Sequence, residues 1–167
     1  MTQEEKQLLL KDLCARLPYK VIANFTLGDI SFNERVSSVF VNECSVQVYV
    51  KQGFLKCPLD GDSEIKLSQV KPYLRPMSSM TKEELKELND KYGNIAYFFI
   101  QDPPYYYGLQ AQHEDIGSIE ISEFSKIYDW LDAHYFDYRI VPSTGKTLIE
   151  SGLALEALKG MYKYEND

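Results

Sequence analysis

Apolar residues recur along this chain with two different rhythms, and each rhythm predicts an element. Leu9, Leu10, Leu13, Cys14 and Leu17 fall on one face of a helix, and Pro18 stops the run. Thr2 and Glu5 stand ahead of them as a capping-box pair, so the spacing predicts a first helix over residues 3–16. Cys14 reads as a small core residue of that stripe and not as a nucleophile. From Tyr19 to Leu67 the rhythm becomes that of strands. Lys20 to Phe25 is β-prone, Leu27-Gly28-Asp29 is a turn, and Ile30 to Phe40 is rich in Val and Phe. After the break at Asn42-Glu43, Ser45 to Val50 alternates with period two. Val46, Val48 and Val50 then face a core, while Gln47 and Tyr49 face the other way. Gln52-Gly53 and Asp60-Gly61 are turn signals, and Ile65 to Leu67 is a last short strand before a helical turn at Ser68 to Lys71.

The second half reads differently. Pro72 to Met80 is expected to be a connector. Thr81 and Glu84 form another capping box, and Leu85, Leu88 and Tyr92 stripe a helix over about residues 82–92 that Gly93 closes. Ile95 to Ile100 reads as a buried strand. A third helix starts near Ser122 or Glu123, with Phe124, Ile127, Tyr128, Leu131 and Tyr135 on its apolar face and Trp130 on its flank. Val141 to Gly145 is a turn, Thr147 to Ile149 a strand, and Leu153 to Leu158 a short helix. The fold class is α+β. An N-terminal helix and a small antiparallel β-barrel or curved sheet occupy residues 1–76, in a layout that resembles Tudor-like barrels. A mainly helical part, residues 77–167, packs on them.

Charge narrows the function. In 167 residues acids outnumber bases 25 to 18, a net charge of −7, which disfavours general nucleic-acid binding. Between His113 and Asp137 lie Glu114, Asp115, Glu120, Glu123, Asp129, Asp132 and Asp137 against Lys126 alone. Such a run is either a solvated face or a surface that meets a basic partner. Cys14, Cys44 and Cys57 lack the Cys-x-x-Cys spacing of a thiolate zinc site and make no disulfide framework. The start Met-Thr-Gln-Glu-Glu-Lys carries no leader pattern and no apolar run is long enough for a membrane span, so a cytoplasmic protein is expected.

Motifs for chemistry are incomplete. Ser143-Thr144-Gly145-Lys146-Thr147 resembles the end of a phosphate loop, but Ile140 stands where that loop needs glycine. Asp60-Gly61-Asp62-Ser63-Glu64 has Ile65 and Lys71 where a calcium loop needs glycine and glutamate. His113 and His134 sit in different segments, too few and too far apart for a predicted zinc site. No catalytic residue, metal or cofactor is therefore predicted. The segment Pro103-Pro104-Tyr105-Tyr106-Tyr107-Gly108 continues neither a helix nor a central strand. Its tyrosines offer large contact area at low entropic cost.

Four separated phrases carry a resemblance. They are Leu8 to Tyr19, Lys71 to Thr81, Trp130-Leu131 with Phe136-Asp137-Tyr138-Arg139, and Gly152 to Ala157 with Gly160-Met161-Tyr162. Together they resemble a group of small proteins of gut anaerobes and their phages or mobile elements, which implies no activity and no site residue. The leading expectation is a non-enzymatic accessory protein that binds a protein partner with a basic surface. Tyr105, Tyr106, Tyr107, Glu114 and Asp115 would meet that partner. One alternative is a small-molecule binder or enzyme with a cleft near His113, Asp102 and Asp115. Another is a nucleic-acid-binding small barrel, which requires Lys66, Lys71, Arg75 and Lys82 to gather on one face with exposed aromatics.

Overall fold

The computed structural model describes residues 1–41, 46–50, 65–92 and 121–162. The turns expected at Gln52-Gly53 and Asp60-Gly61 and the strand expected over 95–100 lie outside the described residues. The elements in order are helix α1 (Gln3–Arg16), strands β1 (Ile22–Leu27), β2 (Ile30–Val41), β3 (Val46–Val50), β4 (Ile65–Lys66) and β5 (Val70–Pro76), then helices α2 (Lys82–Tyr92) and α3 (Ile121–Ala133). Four two-residue strands follow: β6 (Phe136–Asp137), β7 (Ile140–Val141), β8 (Lys146–Thr147) and β9 (Leu155–Glu156). The chain is α+β, as its rhythms predict.

Helices α1 and α2 start at the capping boxes read from the sequence. The Glu5 amide donates to Thr2 Oγ1 at 3.2 Å, and Glu5 Oε2 accepts from the Thr2 amide at 2.6 Å. Thr81 and Glu84 make the same reciprocal pair at 3.1 and 2.8 Å. The buried face of α1 is nevertheless turned from the predicted one. Leu9, Leu13, Asp12 and Arg16 are buried, while Cys14 points to solvent and is no core residue. Two charged side chains occupy the inner face that an apolar count assigns to Cys14.

The strands β4-β3-β2-β1-β5 form one antiparallel path. Between β4 and β5 runs only a helical turn, Leu67–Gln69. A flat sheet of five strands would hold its outermost members about 19 Å apart. Four residue steps from Lys66 to Val70 span at most about 14 Å, so the sheet has to curl. It forms a half barrel, with Val21, Ala23, Phe25, Val36, Val48, Val50 and Val70 inside against Leu9 and Leu13 of α1. Gly28, at φ +59°, supplies the tight turn from β1 to β2, where L side chains are disfavoured.

The expected connector from Pro72 to Met80 is instead largely strand. β5 is the junction of the molecule: β1 pairs with it antiparallel, and β6 and β9 pair with it in parallel. Its prolines hide it from a reading of propensity, because proline cannot donate to a ladder. Pro72 lies opposite Ala23, at the last rung of the β1–β5 pairing. Beyond that rung the Tyr162 hydroxyl bridges the gap, accepting from the Ile22 amide at 3.1 Å and donating to the Tyr73 carbonyl at 2.7 Å. The expected helix at Leu153 to Leu158 is likewise replaced by β9, which follows the turn at Gly152 (φ +71°) and pairs with Tyr73 and Leu74. Only Lys146-Thr147 of the strand expected around Thr147 to Ile149 is extended, and residues 148–150 are a turn. Trp130 is buried between α2 and α3, its indole N–H donating to Glu87 Oε1 at 2.9 Å, instead of covering a flank.

A four-charge cluster fastens α1 to the C-terminal strands. Arg16, fully buried, donates from Nε to both Asp12 oxygens at 2.9 and 3.0 Å, and from Nη2 to the Phe136 carbonyl at 2.7 Å. Its Nη1 reaches the Asp132 carbonyl at 3.3 Å. Arg139 donates from Nη1 to Asp12 at 2.5 Å and Asp132 at 2.7 Å, and from Nη2 to Asp132 at 2.9 Å. Each carboxylate is thus shared by two guanidiniums, and the cluster is neutral as a whole. Burial alone would loosen the Arg139 proton, but the bonds to Asp132 and the charge of Asp12 outweigh it and hold it more tightly than usual. Removing one member leaves buried charge uncompensated. Arg16→Met is therefore expected to cost about 3–5 kcal/mol in urea unfolding, and a loss below about 1 kcal/mol would contradict this role.

Candidate functional site

The residues that the sequence nominates for partner contact, Tyr105, Tyr106, Tyr107, Glu114 and Asp115, lie outside the described residues, as do His113 and Asp102. The acidic stretch ending at Asp137 does not form one acidic surface. Asp132 and Asp137 are buried and bonded internally, whereas Asp129 faces solvent. His134 is engaged within the fold. Its ring stacks on Trp130 at 3.7 Å between centroids, with Nδ1 2.8 Å from the Trp130 carbonyl, and burial pushes its pKa down. The Ser143 to Thr147 segment is the turn and the start of β8 in a small β7–β8 hairpin, with Gly145 at φ +67°. Among the described residues no three His, Cys, Asp or Glu side chains come together to hold a metal ion.

A cleft of about 340 Å³ opens beside Asp137, walled by Met77, Ser78, Tyr138, Thr147 and Glu150 among others. Its chemistry is that of a cap. Asp137 accepts from the Leu148 amide at 3.2 Å and the Ile149 amide at 2.8 Å, the free donors of the turn that begins at Thr147. Thr147 and Glu150 complete it with a reciprocal pair at 3.3 and 2.9 Å. Both Asp137 oxygens are occupied by the fold, so the cleft presents no poised carboxylate to a substrate.

The outer face of the curled sheet has a different character. Strand alternation and the register decide which side chains share it. Asn24 lies opposite Asn33 on β2 and Lys71 on β5, Ile22 opposite Arg35, and Thr26 opposite Ser31. Beyond the irregularity between Val36 and Ser38, Ser38 lies opposite Tyr49, Phe40 opposite Gln47, and Gln47 opposite Lys66. Tyr73 follows Lys71 by two residues, and its hydroxyl donates to Asn33 Oδ1 at 3.2 Å. Asn24 Nδ2 donates to Ser31 Oγ and Asn33 Oδ1, both at 2.8 Å, which fixes an amide and hydroxyl patch near the β1–β2 turn.

Elsewhere on the same outward face stand Arg35, Lys66 and Lys71, all exposed, and three aromatic rings, of which Phe40 is 52% exposed. Arg75 continues the β5 series but is engaged by Glu84 at 2.7 Å. Burial opposes the Glu84 charge, yet the bonds from Arg75 and the Thr81 amide hold its carboxyl below the usual range. Among the described residues no strand position of this face is acidic, in a chain whose net charge is −7. Lys66 and Lys71, two of the four bases that the nucleic-acid alternative requires, share the face with aromatics. Sequence alternation marks Gln47 and Tyr49 as outward-facing, but only the strand register sets Lys66 of β4 beside Gln47 and Lys71 of β5 beside Asn24.

Asp137 gives the region a pH signature. Burial raises its pKa to about 6, against the pull of the Ile149 amide and the Thr147 hydroxyl, and the Asp12 charge adds to the rise. A raised carboxyl favours the folded state while protonated, so this stabilisation is full below about pH 4 and is lost as the pH rises through about 6. Relative to Asp137→Asn, the parent protein is expected to gain about 3 kcal/mol of unfolding free energy as the pH is lowered across that window. Parallel stability curves for the two proteins would contradict it. Comparisons of the chain with protein-family models, with curated proteins and with solved structures find no match.

Proposed function

We propose that this chain is a non-enzymatic binding protein, and that the outer face of its curled sheet is the surface that meets an anionic macromolecule. The observation that carries the reading is the separation of charge. Of the described acids many lie in the buried cluster, in caps or on the helices, and Glu34 of β2 falls in the register of inward-facing Ala23, while the outward strand positions of the sheet carry lysines, an arginine, amides and rings. A surface that only needed to be soluble in so acidic a chain has no reason to keep acids off the described outward strand positions.

Among the described residues the strongest polar constellations are taken up by the fold itself, which supports binding over catalysis. A catalytic centre holds titratable groups ready for a substrate. Here the two strongest polar constellations, the Arg16 cluster and the Asp137 cap, are saturated by the chain itself. The tyrosine segment from Tyr105 to Tyr107 and the acids Glu114 and Asp115 would form a second contact, to a basic protein, under the expectation drawn from the sequence.

Heparin, a polyanion without aromatic bases, tests the surface alone. At low ionic strength the protein is expected to be retained on a heparin column in spite of its net charge of −7. The double variant Lys66→Glu, Lys71→Glu should pass through. Flow-through of the parent protein, or equal retention of both, would refute the proposed face.

A further inference from the structure

We infer that the occupant of this face is a single-stranded nucleic acid; the inference rests on the reading of the face as an anion-contact surface and adds what the rings and amides do. Lysines and an arginine would serve any polyanion. Phe40 and Tyr49 are different: they lie on adjacent strands as diagonal neighbours, Phe40 opposite Gln47 and Tyr49 opposite Ser38, within reach of one another. The Tyr49 hydroxyl donates to Gln47 Oε1 at 3.1 Å, which steadies the ring beside Phe40. Tyr73 stands on β5, two strands from Phe40 and three from Tyr49, and is pinned to Asn33. Rings at two ends of a shallow polar surface form stacking platforms, since every nucleobase has a π-face.

Beside Tyr73, toward the β1–β2 turn, lie Asn24, Asn33, Ser31 and Thr26, which present both donors and acceptors. An acidic peptide would use the bases but would leave the rings idle. A duplex keeps its base faces stacked inside, where a sheet surface cannot reach them. Unpaired nucleotides alone use all three components.

The salt dependence follows from the count of bases. Contacts from Lys66 and Lys71 give a slope of log K against log salt of about −1.4 for a single strand, and about −2 with Arg35 included. Fluorescence anisotropy with labelled oligo-uridine and oligo-thymidine measures it, with the duplex of a mixed sequence and poly-glutamate as competitors. Phe40→Ala and Tyr73→Ala should each weaken oligonucleotide binding by between about 5- and 150-fold, the loss of one stacked base, and leave heparin retention unchanged. Tyr73→Phe, which keeps the ring, should bind as the parent does. A preference for uridine or thymidine strands separates RNA from DNA, and either supports the inference. Retention on heparin without this ring dependence, or displacement by poly-glutamate or duplex as readily as by the single strand, would overturn the nucleic-acid inference and leave the anionic-surface reading standing. Loss of both heparin and oligonucleotide binding would overturn both.

Discussion

Two arginines and two aspartates, closed on one another inside the protein, are the constraint on which the rest of the structure depends. Arg16 at the end of α1 and Arg139 after β6 share Asp12 and Asp132, so one side of the cluster belongs to the first helix and the other to the last helix and the strands behind it. Burying charge costs several kcal/mol per ion, and only complete mutual satisfaction offsets that. The cluster therefore tolerates little displacement of its members. Tyr138 packs against both guanidiniums, with ring centroids 5.8 Å from Arg16 and 4.5 Å from Arg139. A second tie runs parallel to it, where the Tyr135 ring stacks on Tyr162 and its hydroxyl donates to the Tyr19 carbonyl.

With the inner side occupied, the two faces of the sheet have different tasks. The inner face packs valines and Phe25 against α1, and the edge strand β5 is covered by β6 and β9. Short parallel additions of this kind protect a strand that would otherwise offer unpaired backbone groups. The outer face remains as the broad polar surface of the described residues. Its polarity is set by local register, not by the charge of the chain, which is why a net charge of −7 coexists with a face on which no described strand position is acidic.

The helices were the most legible part of the sequence, because Thr2 with Glu5 and Thr81 with Glu84 mark their starts by a reciprocal hydrogen-bonding mechanism. The β1–β4 strands follow from alternation and from Gly28, and the short link through Leu67 to Gln69 implies the curl. β5 was not legible, since Pro72 and Pro76 lower strand propensity while tertiary pairing overrides it. Nor were β6 to β9, whose two residues each are too short for any period to register. Cys14 was assigned inward because apolar counting has no term for a buried ion pair; the signal available was Asp12 and Arg16, one helical turn apart, among leucines. The outer face was half legible: the outward set of β3 was readable, but its lysine neighbours depend on the pairings of Asn24 with Lys71 and Gln47 with Lys66.

If the cluster joins the first helix and the sheet to the C-terminal elements, the described parts unfold together. The chain has a single tryptophan, Trp130, buried in α3 against His134 and Phe136, which reports on the C-terminal side alone. Far-ultraviolet circular dichroism reports on helices and sheet throughout. The most direct test is urea unfolding followed by both signals on the same samples. Coincident transitions with one midpoint are the expected result. A Trp130 transition that precedes the dichroism change would show two separable units, and would contradict the central place given to the Asp12–Arg16–Asp132–Arg139 cluster.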